Sequence, residues 1–442
     1  MAKPQAKTGS EMITLKPSEI RVAMDSCYRA GQSMMIWGPA GIGKSQIALQ
    51  FANDNFPLRQ DNVAYLEQLA IEAQDPDLPG TQKDIDALNA KLLDQEVNFI
   101  DFRLSQVEPS DLRGMPVPEV SYEVDGRAIV SAQITADMDV EQKTGVVWAA
   151  VKQLTLPEDW KGVLMFDEVN SAMPIVQAAA YQLFLDRCIG ELDLPKGAFI
   201  MAAGNRDGDG GVTFQLATPL KDRMLHVEMK ENLDDWINDY ALKNRVHPDV
   251  IAFNKAMPKH FNTLSPRDPS PVGGSSPRSW ADGVSKVLKA NPHLDATKDH
   301  RKVLKALIAG RVGMGIAGEF MTFREMTSKL PAPDDILDGK ITNAGKLDMS
   351  QSYALCTNLV FRTLDFFESR KTQEIDGAEW GKKASNFLKF IDENFGAEQP
   401  ELVIMSVKTC MNQKCLFKPK EVKYYTTFAK NHKDLILSAR DI

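Results

Sequence analysis

The chain has 442 residues, room for two or three domains, and its 43% hydrophobic and 25% charged content is that of a globular protein. A net charge of −8 weighs against a general nucleic-acid binder, although a local basic patch is compatible with it. The five cysteines, odd in number and scattered, do not make a disulfide framework and read as free thiols of a reducing cytoplasm. Met1 to Leu15 is polar and lacks the apolar core of a secretory signal. The most apolar stretch, Ala306 to Phe320, is interrupted by Arg311 and Glu319 and is too short for a bilayer, so no membrane association is expected.

Glu11 to Ala30 reads as a helical lead-in within a first segment, 1–32. From Ser33 to about residue 230, apolar strand-like runs alternate with helical patterns, which predicts an α/β domain with a mostly parallel sheet. The first run, Met34 to Trp37, meets Gly38-Pro39-Ala40-Gly41-Ile42-Gly43-Lys44-Ser45, which fits G-x-x-x-x-G-K-[ST] and precedes the helical Gln46 to Phe51. In that context the glycines let backbone N–H groups curl toward phosphate oxygens. Lys44 would reach the β- and γ-phosphates, and the Ser45 hydroxyl would hold Mg²⁺.

Residues 54–96 read as an insertion, with helices over Asn62 to Glu72 and Asp84 to Asp94 around the turn-rich Asp75 to Gly80. The next strand is expected over Val97 to Phe102. Val120 to Gln133 alternates around Asp125-Gly126, a hairpin signal inside an insert of about 112–145. Gly162 to Phe166 suits a strand buried on both faces, which would deliver Asp167 and Glu168 to its C-terminal tip. There Asp167 would bind Mg²⁺ through its water shell and Glu168 would polarise the attacking water. Phe199 to Ala203 leads to Asn205, whose amide can donate to the γ-phosphate; glycine-asparagine is also a common turn.

Met224 to Val227 is the fifth strand, preceded by Arg223. His226 on it carries no expected ligand role. Arg278 opens a helix after the loop-like 265–277, within a helical lid assigned to 231–335. A guanidinium beside a γ-phosphate stabilises transition-state charge. Arg187 is open to either a contact with a neighbouring subunit or a structural salt bridge. A Pro- and Asp-rich hinge from Leu330 to about Ile336 precedes a helical C-terminal region, 336–442.

The order of these pieces resembles the AAA+ ATPases, and within them the MoxR family. Asp101 to Pro116, with Glu108-Pro109-Ser110-Asp111-Leu112-Arg113-Gly114 at its heart, resembles that family's signature after the second strand. The hairpin matches its helix-2 insert, and Leu183 to Pro195 the hairpin before sensor 1. Ala202-Ala203-Gly204-Asn205 resembles the sensor-1 strand, Asp222-Arg223 the arginine-finger position and Pro277-Arg278-Ser279-Trp280 the sensor-2 helix. The resemblance covers about 13–330. It implies a homo-oligomeric ring, commonly hexameric, with ATP and Mg²⁺ at each subunit boundary. Lys44, Ser45, Asp167, Glu168, Asn205 and Arg278 would act from one subunit and Arg223 from the next. It implies chaperone-like remodelling of a protein partner, in many relatives one with a von Willebrand factor A domain. The alternative is a nucleic-acid-directed motor on the same core, which would want a basic, aromatic-interleaved channel that this sequence does not advertise.

Overall fold

The computed structural model describes residues 12–72, 81–124, 127–129, 141–149, 151–189, 192–206, 208–209, 213–265, 268, 272–372 and 374–432. Six strands form one wholly parallel sheet: β1 (Thr14–Leu15), β2 (Ser33–Trp37), β3 (Phe99–Arg103), β7 (Lys161–Asp167), β10 (Gly197–Gly204) and β11 (Met224–Met229). Their spatial order is β1-β11-β2-β10-β7-β3, which puts the strand before the glycine loop in the interior of the sheet.

The long apolar runs follow from burial on both faces. On β7, Val163 and Met165 enter one core while Leu164 and Phe166 enter the other. On β10, Phe199, Met201 and Ala203 alternate with Ile200 and Ala202 in the same way. Each fully buried Met or Phe of this kind contributes roughly 1.5–3 kcal/mol. Val163 to Phe166 and Ala198 to Ala203 are all buried, so a one-residue slip in register is the main error that packing must exclude.

Two boundaries differ from the sequence expectation. Glu11 lies outside the described residues, and the lead-in that follows is not helical at once: Thr14–Leu15 pairs with Glu228 and Met229, and the helix begins only at Pro17. Proline fixes the first helical φ and disfavours helix at the residue before it. The Glu19 carboxylate then accepts from the Lys16 backbone N–H at 3.0 Å and closes the turn. β3 starts at Phe99 instead of Val97, because the Val97 carbonyl accepts the Trp160 indole N–H at 2.7 Å.

The insertion carries helices Arg59–Glu72 and Thr81–Asn89, and its turn-rich centre lies outside the described residues. Its ends are pinned together where Leu93 N–H donates to Pro57 O at 2.9 Å. The expected hairpin is one edge of a three-stranded antiparallel sheet. β4 (Met115–Val124) pairs with β5 (Arg127–Ile129) around the expected turn, whose Asp125 and Gly126 lie outside the described residues. β4 also pairs over nearly its whole length with β6 (Glu141–Ala149), a strand absent from the sequence expectation. Residues 130–133 of the expected hairpin lie outside the description. The hairpin before β10 is formed by β8 (Cys188–Ile189) and β9 (Leu192–Asp193).

The rest is helical and has two apolar cores. One gathers around Phe253, Trp280, Phe320 and Phe323. Phe253 meets Phe320 edge-on at 5.2 Å and Phe323 at 5.5 Å between ring centres. The other gathers around Trp380, Phe387 and Leu388. The Leu330–Ile336 segment is not an open hinge. Pro333–Leu337 is a short helix whose Ile336 and Leu337 are buried in the second core. All five cysteines are unpaired, and no described helix is long and apolar enough to cross a membrane.

Phe253 is fully buried at the centre of the first helical core, with rings on three sides. Phe253→Ala should therefore cost about 3–5 kcal/mol. Urea unfolding followed by tryptophan fluorescence, which reports Trp236 and Trp280 in that core, checks the loss; a change below about 1 kcal/mol would contradict this packing.

Candidate nucleotide site

The glycine loop leaves β2 at Trp37 and enters the helix Lys44–Asn55. Two of its glycines are demanded by geometry. Gly43 caps the helix at φ +104°, a left-handed conformation that side chains resist. Gly41, at φ +80°, lies so close to the Ser276 hydroxyl that a Cβ would sit 2.9 Å from it. Its carbonyl also accepts the Arg278 backbone N–H at 3.2 Å, which ties the loop to the lid helix.

Lys44 folds beneath this loop and is buried. Its ammonium donates to Gly38 O at 2.7 Å, Pro39 O at 3.0 Å and Asn205 Oδ1 at 3.1 Å. Burial pushes its pKa down to about 8, against the pull of the Asp167 carboxylate. Ser45 Oγ donates to Asp167 Oδ2 at 2.6 Å. The other Asp167 oxygen accepts the Glu168 backbone N–H at 2.8 Å. Glu168 itself stands at φ 57°, so the chain turns sharply as it leaves β7. Lys44, Ser45, Asp167, Glu168 and Asn205 thus stand together at the C-terminal ends of β2, β7 and β10.

A cavity of about 330 Å³ opens beside them, between the α/β domain and the lid. Ile42, Met229, Trp236 and Tyr240 line it, with Ser45, Asp167 and Arg278 at the loop end. Asp235 and Asp239 add carboxylates to the wall. Asp235 is fixed by the Ser18 backbone N–H at 2.8 Å, and desolvation pushes the Asp239 carboxyl up. Loop, cavity and carboxylate suit a nucleoside polyphosphate with its base between the domains.

The residues also fit Mg²⁺. Among the described residues no group of three or more His, Cys, Asp or Glu could hold a metal alone. A hydroxyl paired with one carboxylate is instead the donor set of an ion that keeps waters and takes phosphate oxygens.

Arg223 is elsewhere. It follows the helix Thr218–Asp222, donates to Pro219 O at 3.1 Å and does not line the cavity. Among the described residues Arg187 forms no salt bridge; it donates to the carbonyls of Pro195 and Ala198, at φ 56°. His226 accepts the Trp37 indole N–H on Nδ1 at 2.9 Å and meets Lys221 O through Nε2, also at 2.9 Å, a structural role.

Three polar residues of the site had no sequence signal. Ser105 Oγ donates to Glu168 Oε2. Asn170 bonds the backbone of Asn205. Arg206 is held by Asp209 at 2.9 Å and by Glu228.

The arrangement defines an α/β fold with a phosphate loop, followed by helical units. No family model matches the chain, and no curated protein does. Among solved structures, a RuvB variant of Thermotoga maritima is similar at 12% identity and TM-score 0.28, over 69% of this chain and 67% of that one. A second RuvB variant from that organism gives 13%, 0.27, 85% and 75%. A DNA polymerase III gamma subunit-related protein of T. maritima gives 10% and 0.25, over 95% and 100%.

The lowered Lys44 pKa has a sign that can be checked. Between about 8 and its ordinary value of 10.5, the unfolded chain binds more protons at this group than the folded chain does. Stability from this group therefore rises with pH across that window. The ligand-free protein should show this upward slope relative to Lys44→Met, in urea unfolding at stepped pH. Parallel curves for the two proteins would mean that Lys44 titrates normally.

Proposed function

We propose that this chain is a Mg²⁺-dependent ATPase of the AAA+ type, similar to MoxR proteins, which works as a ring to remodel a protein partner. The observation that carries the reading is the convergence of Lys44, Ser45, Asp167, Glu168 and Asn205 around one glycine loop, with Ser45 and Asp167 also on the wall of the adjoining cavity. The glycine loop and the helix N-terminus cradle the phosphates. Lys44 exchanges its loop carbonyls for β- and γ-phosphate oxygens, while Asn205 donates its amide N–H to the γ-phosphate. Ser45 and Asp167 hold Mg²⁺, which when bound neutralises phosphate charge. Glu168 takes a proton from the attacking water; the water oxygen bonds the γ-phosphorus as the bridge to ADP breaks. Ser105 holds one Glu168 oxygen, and the carboxylate's second oxygen can take that proton. Arg278 acts from the lid of the same subunit.

Arg223, outside its own cavity, is assigned to the neighbouring subunit's γ-phosphate across the ring boundary. The ring, of six subunits by the MoxR resemblance, acts on a protein client, with a von Willebrand factor A protein the foremost candidate. The net charge of −8 supports a protein client over a nucleic-acid track, and the unpaired cysteines suit a reducing, cytoplasmic setting.

Lys44→Ala should lose ATP affinity, whereas Glu168→Gln should bind ATP and hydrolyse it about 10²-fold more slowly or worse. Equilibrium binding and phosphate release measure the two. The Glu168→Gln protein, loaded with ATP and treated with nuclease, should then retain a purified von Willebrand factor A domain protein. An unimpaired Glu168→Gln removes the assigned base. ATPase stimulation by DNA with a steep salt dependence would turn the reading toward a nucleic-acid motor.

Arg223→Ala should bind ATP normally and turn it over roughly 10³-fold more slowly. Mixing it with Lys44→Ala should restore part of the activity, because some boundaries then join an intact loop to an intact arginine. No recovery in rings that demonstrably exchange subunits would place Arg223 outside catalysis in trans.

A further inference from the structure

Asn170 lies in the short turn Val169–Ser171, two residues after Glu168, and is 1% exposed. Both ends of its side-chain amide bond one other residue. Nδ2 donates to Asn205 O at 2.7 Å, and Oδ1 accepts from Asn205 N–H at 3.2 Å. A planar primary amide is the side-chain group that offers a donor and an acceptor side by side, so it can satisfy both backbone groups of one residue. The fit is close: a Cβ at Gly204 would lie 2.5 Å from Asn170 Oδ1. Asn170 is held in turn by its own carbonyl, which accepts the Phe214 N–H at 2.7 Å.

On the far side, Asn205 reaches Lys44 through its side chain. The tip of β10 and the turn leaving β7 are therefore joined by two hydrogen bonds in a buried setting, where each is stronger than in water. β7 and β10 are already neighbours in the sheet, but their pairing ends at Ala202 and Phe166. Beyond that point Asn170 supplies the link.

We infer that Asn170 is a positioning residue: it fixes Asn205 against the Glu168 turn, so that the γ-phosphate donor and the water-polarising base keep one geometry. The inference rests on the hydrolysis reading above for its effect on turnover, but the clamp itself is measurable without turnover.

Asn170→Asp keeps the shape and loses the Nδ2 donor; Asn170→Ala loses both bonds without introducing a charge. Both should lower kcat about 10–100-fold, the size expected when buried backbone groups lose their partners, with ATP affinity within about threefold. Because Asn170 acts through Asn205, the double variant Asn170→Ala with Asn205→Ala should turn over no more slowly than Asn205→Ala alone. A merely structural role would instead make the two losses multiply. Hydrogen exchange over residues 203–206 should quicken about tenfold in Asn170→Ala, with exchange over 33–37 unchanged. If Asn170→Asp fails to bind ATP, Asn170→Ala carries the comparison. Multiplying losses, or unchanged exchange at 203–206, would overturn the clamp. An unmutated protein that never hydrolyses ATP but shows the exchange response would sink the hydrolysis reading and leave the clamp standing.

Discussion

The site depends on one buried cation. Lys44 sits under a glycine loop with its charge largely out of water, which is costly unless oxygens replace the lost hydration. Two loop carbonyls and the Asn205 amide oxygen do so, and Asp167 lies near enough to favour the charge. Each of these partners comes from a different part of the chain. The loop must curl to offer its carbonyls, β10 must end where Asn205 can reach, and β7 must end beside Ser45. A phosphate group meeting this ammonium would replace weak neutral acceptors with a full negative charge. The contacts that hold Lys44 are thus ones that a nucleotide can outcompete.

The parallel sheet makes that convergence cheap to maintain. All strands point the same way, so their C-terminal tips share one edge, and loops leaving that edge collect functional side chains. The apolar faces of β2, β7 and β10 fix the register of those tips through two separate cores, one above and one below. Precision at the edge comes from packing that never touches the site.

Much of this was legible in the sequence, for identifiable reasons. β2, β7 and β10 announce themselves because burial on both faces makes them continuous apolar runs, whereas β3 and β11 are more exposed and their runs are broken by Asp101 and by His226 and Glu228. The loop is legible because its glycines and Lys44 are fixed by local geometry. β1 was not, because two residues carry no periodicity and their pairing with Glu228 and Met229 spans more than 200 positions. β6 was missed because its partner β4 lies across a long connection and the turn at Asp125-Gly126 explained the nearer strand by itself. Ser105, Asn170 and Arg206 are ordinary polar residues in the linear chain. Only the folded sheet brings them to Glu168, Asn205 and Glu228. Arg187 shows the converse: a charged residue beside a hairpin turned out to serve backbone carbonyls.

The two helical cores meet along one long helix, Met349–Lys371. Ala354 belongs to the core beside the nucleotide cavity, while Leu355, Cys356 and Leu359 belong to the core beyond it. Leu330 and Leu364 pack against both. A helix of 23 residues is about 34 Å long at 1.5 Å per residue. Phe361 also packs on the first core and Val360 on the second, so the two sets interleave and the helix is a wall common to both cores, not a free arm. In a close-packed interior a change of volume on that wall is felt in both cores at once, so the lid and the C-terminal helices share one packing problem.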